Sequence, residues 1–196
     1  MKQKLLFKAG ETVYFAGQKG PAYRVTKGNI RLDHTDEEGE ISFASMAIQE
    51  DLLGAEVLLG HSYQFNAHAL VDTEIEVWQE PSELWEIALA KELLKSNQRN
   101  AEVISLRCGQ AIDRIIKLIK LMVPGYQQAA NEQLAINISL PALREAAEMT
   151  GLTIETVSRC LTSLRKQGIL QPIPGARGNI RNQFVLNLNN VEPLAA

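Results

Sequence analysis

From Leu143 to Leu170 the chain reads LREAAEMTGLTIETVSRCLTSLRKQGIL. Two helical periods meet across a very short turn. The spacing predicts one helix over 140–149, started by Ser139 with Pro141 in its first turn. A second is predicted over 154–167, with Thr153 as N-cap and Gly168 as its stop. Thr150-Gly-Leu152 joins them. Gly151 sits where a positive φ is cheap only for glycine. Ala147, four residues earlier, lets the helices approach closely. Val157, Cys160, Leu161 and Leu164 share the inner face of the second helix. Predicted strands at 134–138, 169–173 and 184–188 surround the pair, with Pro174 to Gly178 in the loop between the last two. This is the pattern of a winged helix-turn-helix.

The outer N-terminal face of the second helix carries Thr153, Ile154, Glu155, Ser158 and Arg159. A recognition helix places that end against base edges in the major groove. Arg can bridge O6 and N7 of guanine, and Glu can accept from N4 of cytosine. Glu155, Ser158 and Arg159 are therefore the candidate base readers. Thr153, Arg165, Lys166, Arg177 and Arg181 are candidate contacts to the DNA backbone, the last two from the wing. The bland alternative for Glu155 and Arg159 is a surface ion pair at i,i+4. Charge favours the nucleic-acid reading. The net value of −3 is set by residues 1–80, with 13 acids against 7 bases, whereas 152–190 holds five bases and only Glu155 as an acid. It is the local charge that meets phosphate.

Upstream, Pro81-Ser82 opens a long helical segment, with Ser82 as N-cap and Glu83 and Glu86 in the favourable first turn. Leu94, Ala101, Cys108, Ile115 and Met122 recur every seven residues, and Ile104, Ala111 and Leu118 follow members of that set by three. The seam is coiled-coil-like and predicts a homodimer, with Leu94, Ala101, Ile104 and Cys108 on the dimer helix. Gly109 breaks it into two helices, the first over 83–107 and about 37 Å long. Cys108 and Cys160 lack metal-ligand spacing and read as reduced thiols in apolar positions.

Between Phe7 and Trp78 glycines punctuate short alternating runs at strand-length intervals. Tyr23 to Val25 and Asn29 to Leu32 read as a hairpin around Lys27-Gly28, and Asp36 to Gly39 as a second hairpin turn before Ile41. Ala67 to Val71 and Glu74 to Trp78 read as later strands. The class is α+β: a jelly-roll-like β-roll over 1–80, a dimerisation helix over 81–108 and the winged helix-turn-helix over 109–196. No run is long enough to cross a membrane. The N-terminal apolar stretch is too short for a secretory signal, so a cytoplasmic protein is expected.

In this order, β-roll, long helix and winged helix, the chain resembles the CRP/FNR family of bacterial transcription regulators over nearly its whole length. Phe7-Lys-Ala-Gly-Glu-Thr-Val resembles the family's first β-roll strand, and Tyr23 to Leu32 its next hairpin. Leu143 to Leu170 resembles its helix-turn-helix. Glu155-Thr-Val-Ser-Arg159 matches the E-x-x-S-R pattern of the FNR branch, and Ile154 stands where the CRP branch has Arg. The resemblance implies a homodimer on a palindromic TTGA-like site in double-stranded DNA, with RNA polymerase as partner of an activator.

It also frames what the β-roll could sense. Cyclic-nucleotide members have Gly-Glu-Leu followed by Arg-Ser or Arg-Thr. Here Gly54 and Glu56 are separated by an extra residue, and Gln64 to His68 stands near the missing Arg. A cyclic phosphate without that cation would be poorly held. Gly54, Glu56, Asn66 and His68 remain candidates for an effector pocket. The four cysteines of the FNR cluster are lacking. His34, His61 and His68 have no metal-site spacing, so no metal or cofactor is expected. Two readings stay open: a short member competent without an effector, and one that senses a small ligand or redox state through the β-roll and the Cys108 hinge. A cupin-like enzyme would need a close His-x-His pair, which is missing, and no enzyme is expected. A scaffold with a degenerate helix-turn-helix is the other alternative.

Overall fold

A computed structural model describes residues 4–124, 126, 135–173 and 182–188, with the side chain of Ser82 excepted. The chain divides into two compact units, Met1–Val103 and Ile104–Ala196. Most of the helix expected over 81–108 thus belongs to the first.

Unit 1 holds, among its described residues, eight strands: β1 (Lys4–Phe7), β2 (Thr12–Tyr14), β3 (Tyr23–Lys27), β4 (Ile30–Thr35), β5 (Ile41–Ala47), β6 (Leu52–Leu53), β7 (Asn66–Ala69) and β8 (Thr73–Val77). They form two antiparallel sheets, ordered β1-β8-β3-β6 and β2-β7-β4-β5. That is the jelly-roll arrangement. Val25, Leu53 and Ile75 from one sheet meet Tyr14, Ile30, Ala47 and Ala67 from the other in one buried core. Tyr14 and Tyr63 stack there with ring centroids 3.7 Å apart.

The Asp36–Gly39 turn joins β4 to β5 as expected: Asp36 Oδ1 accepts the Glu40 amide at 2.8 Å, and Gly39 has φ +84°. The other expected hairpin is not one. β3 and β4 lie in different sheets, and β3 pairs with β8 instead. Gly28 makes the corner at φ +87°, packed so closely on Thr73 and the Asp72 carbonyl that a side chain would not fit. The buried Asn29 gives its carbonyl to the Leu70 amide at 2.9 Å. The segment from Phe7 to Val13 likewise divides between β1 and β2.

A 3-10 turn, Ser82–Leu84, leads into α1 (Trp85–Ser105). The helix therefore starts two residues later and ends two earlier than the heptads suggested, and spans about 32 Å. The Ser82 cap falls on a side chain outside the described residues. Trp85 Nε1 donates to the Glu80 carbonyl at 2.9 Å, and its ring meets that of Trp78, anchoring the start. Among the described residues no helix is long and apolar enough to cross a membrane.

Unit 2 contains α2 (Ala111–Met122), β9 (Ala135–Ser139), α3 (Leu143–Thr150), α4 (Ile154–Lys166), β10 (Leu170–Pro172) and β11 (Gln183–Asn187), with the sheet ordered β10-β11-β9. The break at Cys108–Gln110 is present, and Gly109 has φ +95°. Ile115, Leu118 and Met122 are buried. They build the core of this unit, where α2 packs on α3 and α4, and do not prolong the exposed seam. The first helix of the pair begins at Leu143, not Leu140. Ser139 closes β9, the Leu140 amide donates to the Asn182 carbonyl at 2.8 Å, and Pro141 follows. Ala142 is the residue before the helix, its amide bonded to Glu145 Oε2 at 3.2 Å.

Candidate nucleic-acid interface

The turn between α3 and α4 is built as the sequence requires. Gly151 adopts φ +65° and ψ +33°, and the Leu152 amide returns to the Ala147 carbonyl at 3.0 Å. Thr153 caps α4, its Oγ1 accepting the Thr156 amide at 3.2 Å. Val157, Cys160, Leu161 and Leu164 are buried against α2 and α3. Each such aliphatic side chain contributes about 1.5–3 kcal/mol, so the outer face is held rigidly. Burial pushes the Cys160 thiol up, as suits an inert core residue.

Glu155, Ser158 and Arg159 are exposed together on that outer face, beside exposed Thr153 and Thr162. Among the described residues, Glu155 and Arg159 do not form the ion pair that was the bland alternative for them. Arg159 Nη2 donates to Thr156 Oγ1 at 3.2 Å. Glu155 is held below the usual carboxylate range, first by its own backbone amide and then by the Thr153 hydroxyl, with Arg159 a smaller influence. It is therefore an anion at neutral pH, with accepting oxygens for a donor base edge. Arg165 and Lys166 are exposed in the last turn, and the Arg165 guanidinium lies 5.4 Å from the ring centre of Phe184 on β11. Arg177 and Arg181 lie outside the described residues.

On α1, exposed positions recur at 87, 90, 94, 97, 101 and 104, spaced three and four apart. Leu94 is 71% and Ile104 68% exposed. Ile87, Ala90 and Asn97 extend the stripe beyond the residues the heptad count picked out. Cys108 continues the count, but from the turn after the helix. It is exposed, with Sγ 3.8 Å from the Ile104 carbonyl, so it does not fill a core position.

Unit 1 contains a largely apolar cavity of about 390 Å³ beside α1. Of the four pocket candidates, Gly54 and Glu56 line it and Asn66 and His68 do not. Asn66 bridges Ala16 and Thr35, and His68 lies 3.3 Å from Asp33, which is buried in an ion pair with Arg31. Sequence reasoning missed the helix side: Leu89, Glu92, Leu93, Ser96 and Arg99 recur at helical spacing and face the cavity. Arg99 Nη2 pairs with Asp51 at 3.2 Å and Nη1 with Glu102 at 3.3 Å, yet its buried Nε has no hydrogen-bond partner among the described residues. Burial holds the Glu92 carboxyl above its usual range, although it accepts the Leu52 amide at 2.9 Å. Among the described residues no cluster of His, Cys, Asp and Glu could hold a metal ion.

Comparison with known proteins agrees with both units. Residues 4–92 match the model of the cyclic nucleotide-binding domain, and 113–186 match that of the Crp-like helix-turn-helix domain. The chain belongs to the CRP/FNR family of transcription regulators. The transcriptional regulator SdrP of Thermus thermophilus is 27% identical over 87% of this chain and 86% of its own. The nitrogen fixation regulation protein FixK of Rhizobium meliloti is 28% identical, over 84% and 76%. The structure of FixK2 from Bradyrhizobium japonicum shares the fold with a TM-score of 0.68, at 24% identity over 100% of this chain and 98% of that one. As a CRP/FNR regulator, the chain carries its DNA-binding helix-turn-helix in unit 2 and a cyclic nucleotide-binding-like jelly roll in unit 1.

Proposed function

We propose that this regulator binds double-stranded DNA as a homodimer on a palindromic TTGA-like site and needs no small-molecule effector to do so. The observation that carries the reading is the joint exposure of Glu155, Ser158 and Arg159 on one face of α4, whose other face is locked in the core. Thr153, Arg165 and Lys166, with Arg177 and Arg181 of the wing, hold the backbone and set the register. The exposed stripe on α1 supplies the dimer contact. The protein works in the cytoplasm, activates through contact with RNA polymerase, and has no catalytic step of its own. Selection from a random duplex library by the purified full-length protein, at low salt and with nothing added, tests this. Enrichment of a TTGA-type palindrome is expected, and failure to enrich any site sinks the effector-free reading.

A second reading rests on the cavity. Its largely apolar lining, with the Arg99 side chain among it, suits a small ligand with an apolar body. On that reading the same selection succeeds only with a small-molecule extract, and Arg99→Met abolishes the difference.

A further inference from the structure

Three cations in unit 2 converge on main-chain carbonyls where two helices end. Lys117 of α2 donates Nζ to the carbonyls of Ser105 at 3.2 Å and Cys108 at 3.0 Å. Arg114, one turn earlier, donates Nε to the Gly109 carbonyl at 2.9 Å and Nη1 to the Thr150 carbonyl at 3.2 Å. Arg107 reaches the Glu148 carbonyl at 3.5 Å. Ser105 ends α1, and Thr150 ends α3, the first helix of the helix-turn-helix. Carbonyls at a helix C-terminus have no amide to follow them, and the helix dipole favours a cation there. Arg114 thus ties the turn after α1 to α3 through a single planar guanidinium, whose fixed fork a lysine does not reproduce.

We propose that Arg114 and Lys117 are positioning residues that set the spacing between the two half-sites the dimer accepts. This rests on the palindrome reading above. Ser105 and the Cys108–Gln110 turn, all within unit 2, are held as one piece with the reading head, although Gly109 by itself would make that turn soft. Neither side chain bonds to α4, so neither reads a base. Half-site sequence belongs to α4, whereas half-site spacing is a property of how rigidly the two heads are carried. Releasing the clamp should blur spacing and leave sequence intact.

Full-length Lys117→Met and Arg114→Lys test this. Among the described residues Lys117 hydrogen-bonds only to the Ser105 and Cys108 carbonyls, so its substitution leaves the Arg114–Thr150 bond in place. Duplexes carrying the two half-sites selected by the parent protein, with their centre-to-centre spacing varied across about 10 bp, are offered in competition. The parent protein should prefer one spacing by about tenfold or more. The variants should keep the half-site sequence and flatten that preference to about threefold or less. An unchanged spacing profile overturns the proposal, as does loss of the half-site sequence itself, which would place these residues in the reading head.

A DNA-free arm separates this from failure of the palindrome reading. The amides of Arg107 and Cys108 donate to the Ile104 and Ser105 carbonyls, and their hydrogen exchange should quicken about tenfold in Lys117→Met. If the parent protein selects no site, the palindrome reading falls. Unchanged exchange in the variant then removes the clamp as well.

Discussion

Arg159 turns back onto its own helix, its Nη2 3.2 Å from Thr156 Oγ1, and leaves the Glu155 carboxylate to its own backbone and Thr153. The two base-reading candidates are therefore not spent on each other. Had they formed an i,i+4 pair, DNA would have to break it first.

This separation makes a clean prediction. Glu155→Ala and Arg159→Ala remove no buried contact, so thermal melts should match that of the parent protein. Discrimination between the selected half-site and a single-base variant should fall about tenfold or more in each. Competition binding with the two duplexes reads the ratio. Lysine or arginine contacts to phosphate behave differently: Lys166→Ala should weaken all sequences alike and lower the salt slope by about one. A melt lowered by either base-reading variant, with discrimination intact, would assign them to stability.

Two glycines at left-handed φ should answer differently to the same substitution. At Gly151 (φ +65°) an added Cβ meets nothing closer than 3.8 Å, so Gly151→Ala pays only for conformation, about 1 kcal/mol. At Gly54 (φ +70°) the Cβ would lie 2.6 Å from the Tyr63 ring, which cannot yield because it is stacked on Tyr14. Gly54→Ala should therefore cost more than about 2 kcal/mol. Urea midpoints of the two variants give the order, and equal shifts would show that the Tyr63 ring can move.

The helix-turn-helix was legible because its punctuation is local: Gly151, Thr153 and Gly168 each do their work within a few residues. Alternation in β3 and β4 was legible as strand, but not which sheet each joins, since that is decided by Gly28 against Thr73, far away in sequence. The heptad count failed beyond Cys108 for a related reason. Ile115, Leu118 and Met122 have the right period, but a period cannot say whether a face meets a second chain or the core of its own unit. The cavity stayed hidden because strands, turns and one face of α1 each supply only part of its wall.

The Tyr14–Tyr63 stack also carries a pH dependence. Burial pushes both phenols well above their ordinary value, with Glu56 adding to each, and the Tyr63 hydroxyl donates to the Pro21 carbonyl at 2.7 Å. A raised folded pKa favours the neutral form in the native state. The contribution is complete below the unfolded pKa of about 10 and is lost as pH rises beyond it. Stability should hold to about pH 10 and then fall, and phenolate absorbance from these two residues should rise only with unfolding. Tyr63→Phe should shrink the alkaline fall while costing about 1 kcal/mol at neutral pH. Native titration of all four tyrosines near the ordinary value would contradict this burial argument.

Leu94 and Ile104 are exposed on α1, whereas Leu89 lines the unit 1 cavity. An apolar stripe with three-and-four spacing is the surface a second copy of the helix covers. Leu94→Glu with Ile104→Glu places four like carboxylates along a paired seam, two from each chain. Sedimentation at micromolar concentration should then report a monomer where the parent protein reports a dimer. Each chain should keep its fold, because neither residue is packed within its own unit. Binding to the palindrome should drop towards that of a single half-site, since the second reading head is no longer tethered. Leu89→Glu should instead act through folding, with a lowered melt. A dimeric mass for the doubly substituted protein would move the interface off this stripe, and with it the basis for assigning Leu94, Ala101 and Ile104 to dimerisation.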